Sequence, residues 1–132
     1  MLRLILGIIA GLVAAVFTVM LVEMVGHMIF PPPEGVDVSN PEQLAAIMHE
    51  IPLGAKIGVL VAWALGIFVG GLVAIRISKR NWTAWVVGLA VLAMGAVTMM
   101  MIPHPLWMMV ATPLITVLAV VLTVRLFGTR AA

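Results

Sequence analysis

Four stretches of this chain are each long and apolar enough to cross a lipid bilayer, which leaves very few folds open. A spanning helix needs roughly 20 predominantly apolar residues. Such stretches cover residues 2–30, 53–77, 82–102 and 106–127. Inside hydrocarbon every backbone N–H and C=O needs an internal partner, so segments of this length are helical. The sequence therefore predicts an all-α integral membrane protein, a four-helix bundle forming one domain over residues 1–132. Composition rules out a soluble alternative. Hydrophobic residues make up 64% and charged residues 9%, against roughly 25% charged in soluble domains. A soluble fold of this size has no interior large enough to hide that apolar surface.

Arg3 followed by apolar residues resembles the start of a signal peptide. The apolar run reaches Phe30, well past the roughly 7–15 residues of a signal-peptide core. We read it as an uncleaved first span, the alternative being cleavage after Ala14 or Ala15. Pro31, Pro32 and Pro33 end it, because consecutive prolines cannot continue a helix.

Charge placement gives the orientation. Arg3, Arg76, Lys79, Arg80, Arg125 and Arg130 fall on one side of a four-span chain, and Lys56 alone falls on the other. The positive-inside rule assigns the richer side to the cytoplasm, with both termini. All five acids (Glu23, Glu34, Asp37, Glu42 and Glu50) belong to the opposite half. Trp82 and Trp85 near one interface and Trp107 near the other fit aromatic belts. The basic residues form no dense patch or nucleic-acid motif, so the pI of about 10.0 does not point to nucleic acid. There is no cysteine, which excludes disulfides, zinc thiolates and iron–sulfur clusters.

Residues 31–52 form the one sizeable outer loop. Asn40-Pro41-Glu42-Gln43 reads as a helix start, with an N-cap, proline in the first turn and glutamine three residues on. Leu44, Ile47, Met48 and Ile51 then recur at helical spacing. A short amphipathic helix lying on the membrane or capping the bundle is expected. Pro103 and Pro105 make the turn around His104 stiff. Thr112-Pro113 is expected to bend the last span.

The second span carries the clearest pattern. Gly54, Gly58, Ala62, Gly66, Gly70 and Ala74 recur at every fourth position. Stripes of this type let helix backbones approach closely. Gly7, Gly11 and Ala15 form a shorter version in the first span. The two stripes pack the bundle internally, or they serve a second copy or a partner subunit.

Glu23 is the residue most out of place, an acid about two turns inside the first span. An acid at that depth is costly unless paired, protonated or wetted. His27 lies one turn outward on nearly the same face. Lys56 enters the second span at a similar depth and offers an ion pair instead. His104 in the Pro-His-Pro turn and His49 in the loop belong to the same side. Imidazole and carboxylate suit zinc, iron or copper, so Glu23, His27 and His104 are metal-ligand candidates. His49 ranks behind them, because it points opposite the apolar stripe of its helix. No ligand pair beyond Glu23–His27 has tight spacing, so a metal is not favoured over a plain polar or proton site. Every methionine except Met1 falls on the outer half; thioethers suit Cu(I) but are more often flexible filler. No phosphate-binding loop, nucleophile elbow, zinc-protease motif or dinucleotide fingerprint is present.

Gly26-His27 leading into Phe30-Pro31-Pro32-Pro33, the acidic loop, the glycine-rich second span and Ile102-Pro103-His104-Pro105-Leu106-Trp107 together resemble a group of small, uncharacterised bacterial inner-membrane proteins. The resemblance covers most of the chain. It implies a bacterial origin and four spans, and brings no activity with it. The first-span glutamate also invites comparison with the small multidrug exporters. Those proteins lack the long outer loop, and this chain has no tyrosine for their aromatic site. The reading that follows is a small membrane subunit or accessory protein that joins a homo-oligomer or larger complex and carries a Glu/His site near the periplasmic face. A proton- or cation-coupled transporter and a periplasmic-face metal binder are the alternatives.

Overall fold

The computed structural model describes residues 1–37 and 39–130. It is an all-α bundle of four long helices: α1 (Leu2–Ile29), α3 (Leu53–Ser78), α4 (Trp82–Met101) and α5 (Leu106–Phe127). Each is long and apolar enough to span a bilayer. A short helix, α2 (Pro41–Ala46), lies in the loop between α1 and α3 and is followed by a 3-10 turn, Met48–Glu50. The span boundaries agree with the sequence reading to within one residue at each end.

The helix ends follow local chemistry. The Phe30 N–H closes α1 on the Gly26 carbonyl at 2.8 Å before the prolines begin. α3 ends at Lys79, which takes a left-handed conformation with φ 60°. Its N–H returns to the Ile75 carbonyl at 2.8 Å. The turn behind it is held by hydroxyls. Thr83 donates to the Arg80 carbonyl at 2.7 Å. Its one hydroxyl proton is then used, so the 3.0 Å contact with Ser78 has Ser78 as donor. α5 runs unbroken through Pro113.

α3 is the central helix, packed against α1, α4 and α5. α4 also touches α1 and α5, which leaves α1 and α5 on opposite flanks of the α3–α4 pair. The buried core is made of Ala15, Ile67, Ala74, Ile75, Ala84, Val87, Val91, Ala119 and Val120. Small residues dominate it because lipid supplies no hydrophobic drive between helices, and close backbone approach supplies the attraction instead.

The closest approach is the antiparallel α1–α3 seam. A Cβ on Gly70 would lie 2.5 Å from the Gly11 carbonyl oxygen, and one on Gly66 would lie 2.9 Å from that of Ala15. One on Gly7 would lie 2.9 Å from the Ala74 carbonyl oxygen. The two small-residue stripes therefore pack against each other inside the chain. The stripe does not run its full predicted length. A Cβ on Gly58 would meet nothing within 4 Å, and Gly54 faces the Phe30 ring rather than backbone. Four-residue steps advance about 40° further than a full turn of a 3.6-residue helix. Counted from Gly70 at the closest contact, Gly58 and Gly54 lie twelve and sixteen residues away and have therefore rotated about 120° and 160° off the α1 face.

Large apolar side chains point outward on every long helix, among them Phe17, Met20, Leu65, Leu89 and Leu114. They meet lipid. The hydroxyls of Thr18, Thr98, Thr112, Thr116 and Thr123 each bond the carbonyl four residues back in their own helix, which satisfies them without water. Among the described residues no buried side-chain nitrogen or oxygen lacks a partner.

The loop helix is shorter than its apolar pattern suggests. Asn40 caps it, accepting from the Glu42 and Gln43 amides. The Gln43 side chain does not turn back onto the Asn40 amide. Its side-chain carbonyl accepts from the Asp37 amide at 2.8 Å, because the Asn40 amide is already bonded to the Asp37 carbonyl. The helix stops before Ile47, and none of its residues is buried.

Candidate polar site at the loop end of the bundle

Glu23 lies six residues before the end of α1, about 9 Å along the axis at 1.5 Å per residue. It is half-buried. Across the seam it has Trp63 of α3 as a neighbour; among the described residues no hydrogen bond within 3.5 Å joins the two side chains. Helix geometry explains the meeting. Side chains tilt toward the N-terminus of their own helix. In an antiparallel pair, Glu23 leans toward the terminal end of the bundle and Trp63 leans toward the loop end, so they converge. The far edge of the Trp63 ring rests on Gly95 of α4, where a Cβ would lie 3.0 Å from its Cζ3 atom. Trp63 thus reaches from α4 to α1, held in place by the missing side chain at Gly95.

His27 stands one turn outward from Glu23. It is exposed and, at i+4, shares a helix face with the carboxylate. Among the described residues the one approach of a basic to an acidic side chain within 4 Å is His49–Glu50, with 3.7 Å between His49 Nε2 and Glu50 Oε1, both well exposed. The Glu23–Lys56 pair allowed by the sequence is therefore not formed. The tilt rule gives the reason: on α3 a side chain at Lys56 leans toward the loop end, away from Glu23.

The other two histidines lie in the loops. His104 is half-buried and turned onto its own loop, with Nδ1 2.6 Å from the Ile102 carbonyl oxygen. A carbonyl only accepts, so Nδ1 carries the proton and Nε2 is the free acceptor. His49 is exposed, as its position opposite the apolar stripe implies. Among the described residues no three His, Asp or Glu side chains gather closely enough to hold a metal. The proposed ligand set Glu23, His27 and His104, with His49 behind it, is therefore not assembled. The methionines near the His104 turn divide by role. Met108 is fully buried. Met99 and Met109 line an open apolar groove of about 410 Å³ between α4 and α5.

Trp63 is the site residue that the sequence reading passed over. Its signal was present: an indole in mid-span, away from either interface belt, carries an N–H that needs a partner. What the arrangement offers is a carboxylate at a helix seam, with an indole and one exposed imidazole beside it. Such a group can take up and release a proton, or attract a small cation, with His27 on the path outward.

Neither family models, curated proteins nor solved structures give a match to this chain.

Proposed function

We propose that this chain is a small multi-pass membrane subunit that works by assembling with itself or with a larger membrane complex. It contributes a protonatable Glu23 site near the periplasmic face of a bacterial inner membrane. The observation that carries this reading is a half-buried carboxylate inside a span that faces an indole and lacks a basic ion-pair partner. A carboxylate kept only for packing would more cheaply be an amide or an apolar group. The resemblance to small bacterial four-helix proteins supports the location, and the exposed apolar faces of α1, α4 and α5 leave room for a partner in the membrane.

The test has two arms. Native isolation in mild detergent, followed by mass spectrometry of what co-purifies, is expected to give a reproducible partner or a defined oligomer. Glu23→Gln is expected to leave that assembly intact and to abolish its proton- or cation-dependent activity. A strictly monomeric chain at native expression refutes assembly. An unaltered activity in the Glu23→Gln complex refutes the role of the carboxylate.

A further inference from the structure

The end of the bundle opposite Glu23 holds six of the seven basic residues and not one Asp or Glu. The fold gathers these cations although they are far apart in sequence. Gly7, one turn from Arg3, lies against Ser78, with a built Cβ 2.9 Å from the Ser78 Cβ. That places Arg3 beside the turn carrying Lys79 and Arg80. Asn81 donates to the Thr129 carbonyl at 3.0 Å and accepts from the Thr129 amide at 2.7 Å, which brings Arg130 to the same turn. Arg76 at the end of α3 lies over the ring of Phe127 at the end of α5, with its guanidinium carbon 5.9 Å from the ring centroid. Phe127 is itself fixed edge-on by Phe68, with centroids 5.6 Å apart. Arg125 lies two residues before Phe127. All six basic side chains are exposed, and among the described residues none of them is in an ion pair.

We propose that this end of the bundle binds the phosphodiester headgroups of anionic phospholipids, with Arg76 and Arg125 as the principal contacts. The two ends of α3 and α5 sit where helix meets headgroup, so the anion available there in quantity is the lipid's own phosphate. Basic residues immediately beside a span are attracted to anionic leaflets. Arg76 adds geometry to charge. A guanidinium held over an aromatic face by cation–π attraction keeps its N–H groups free, and their fork matches two phosphate oxygens. Phe127 therefore holds Arg76 ready, and the absence of any nearby acid leaves no internal competitor for it.

The experiment is native mass spectrometry of the purified full chain, loaded with equal amounts of phosphatidylglycerol and phosphatidylcholine of matched acyl chains. Preferential retention of phosphatidylglycerol is expected. Arg76→Gln should lower that retention about fivefold, the factor corresponding to about 1 kcal/mol for one basic residue near an anionic surface. The phosphatidylcholine signal should not change. Arg76→Lys keeps the charge but loses the planar fork, and its retention should fall between the two. Circular dichroism confirms that each variant is folded; Arg76 is exposed, so no core is disturbed. Equal retention of the two lipids overturns the proposal. So does a folded Arg76→Gln/Arg125→Gln double variant that keeps wild-type preference. Complete displacement of the lipid by inorganic phosphate at the same concentration would make this a free-anion site and overturn the assignment to headgroups.

Discussion

Replacing Gly70 by alanine adds one methyl group where the backbones of α1 and α3 come closest. The new carbon would lie 2.5 Å from the Gly11 carbonyl oxygen, 2.7 Å from the Ala15 Cβ and 3.0 Å from a Val87 methyl. Two of the three obstacles are backbone or directly attached to it, so no side-chain rotation relieves the clash. The helices must separate by a sizeable fraction of an ångström, and the loss spreads along the seam because Gly66 and Ala74 share it. Overpacking of this type costs about 1–3 kcal/mol. Alanine recovers roughly 0.5–1 kcal/mol through its better helix propensity, which leaves a net loss centred on about 1 kcal/mol and reaching about 2.5 kcal/mol. Gly58→Ala is the matched control. Nothing stands within 4 Å of its added carbon, so only the propensity gain applies and the variant should be neutral or slightly stabilised. Reversible unfolding in mixed micelles, followed by circular dichroism, reads both. The Gly70→Ala loss should not depend on protein concentration, because both sides of the seam belong to one chain. Equal effects at Gly70 and Gly58 would refute the seam, and a loss that vanishes on dilution would place the stripe at an interface between chains.

Three further outcomes are expected. A cysteine at Lys79 should resist labelling by an impermeant reagent in intact cells while one at Pro33 reacts, since the basic residues crowd the Lys79 end; the reverse pattern would invert the topology. The Ser39 hydroxyl and amide both donate to the Asp37 carboxylate and hold its pKa below the usual carboxylate value. A lowered folded pKa means that the loop turn gains stability from this contact above the unfolded pKa and loses it as pH falls through the folded one; Ser39→Ala should raise the Asp37 midpoint seen by NMR, and an unmoved midpoint would discount the contact. Asn81→Ala removes three bonds to Thr129 and should cost about 1 kcal/mol at this exposed end, with faster hydrogen exchange at the Thr129 amide; unchanged exchange would mean that the tail is held by something else.

The spans were legible because their signal is crude and strong. Length and hydropathy alone place α1, α3, α4 and α5, and proline pairs or triplets mark where three of their ends fall. The glycine stripe announced a close seam, and the structure supplies the partner face in Gly7, Gly11 and Ala15. Its failure at Gly58 was not readable, because a one-dimensional four-residue spacing ignores the 40° drift of a straight helix. The site was half legible. Glu23 stands out in any hydropathy reading, and His27 follows from the i, i+4 relation. The remaining assignments needed the tilt of side chains and the choice of neighbours. Lys56 and Trp63 both lie on α3, and sequence spacing cannot show which one a glutamate on α1 meets. The bond from His104 to the Ile102 carbonyl is a local preference of the turn that residue spacing alone does not announce.

The seam and the site are physically linked. In the half of the bundle near the termini, glycine and alanine hold α1 and α3 at backbone contact, and no side chain of any length fits between them. Toward the loop end the small residues leave the seam: Gly58 and Gly26 face open space, and Gly54 meets the Phe30 ring. Long side chains take over where the backbones no longer touch, and Glu23 and Trp63 meet in that zone. A carboxylate could not have been placed two or three turns deeper, because at Ala15 and Gly11 the backbones leave no volume for it. The position of Glu23 therefore follows from where close packing stops, and the width of the seam sets how much room the carboxylate has. Substitutions at Gly66 or Gly70 that force the helices apart should for this reason alter the chemistry of Glu23 even though neither residue touches it.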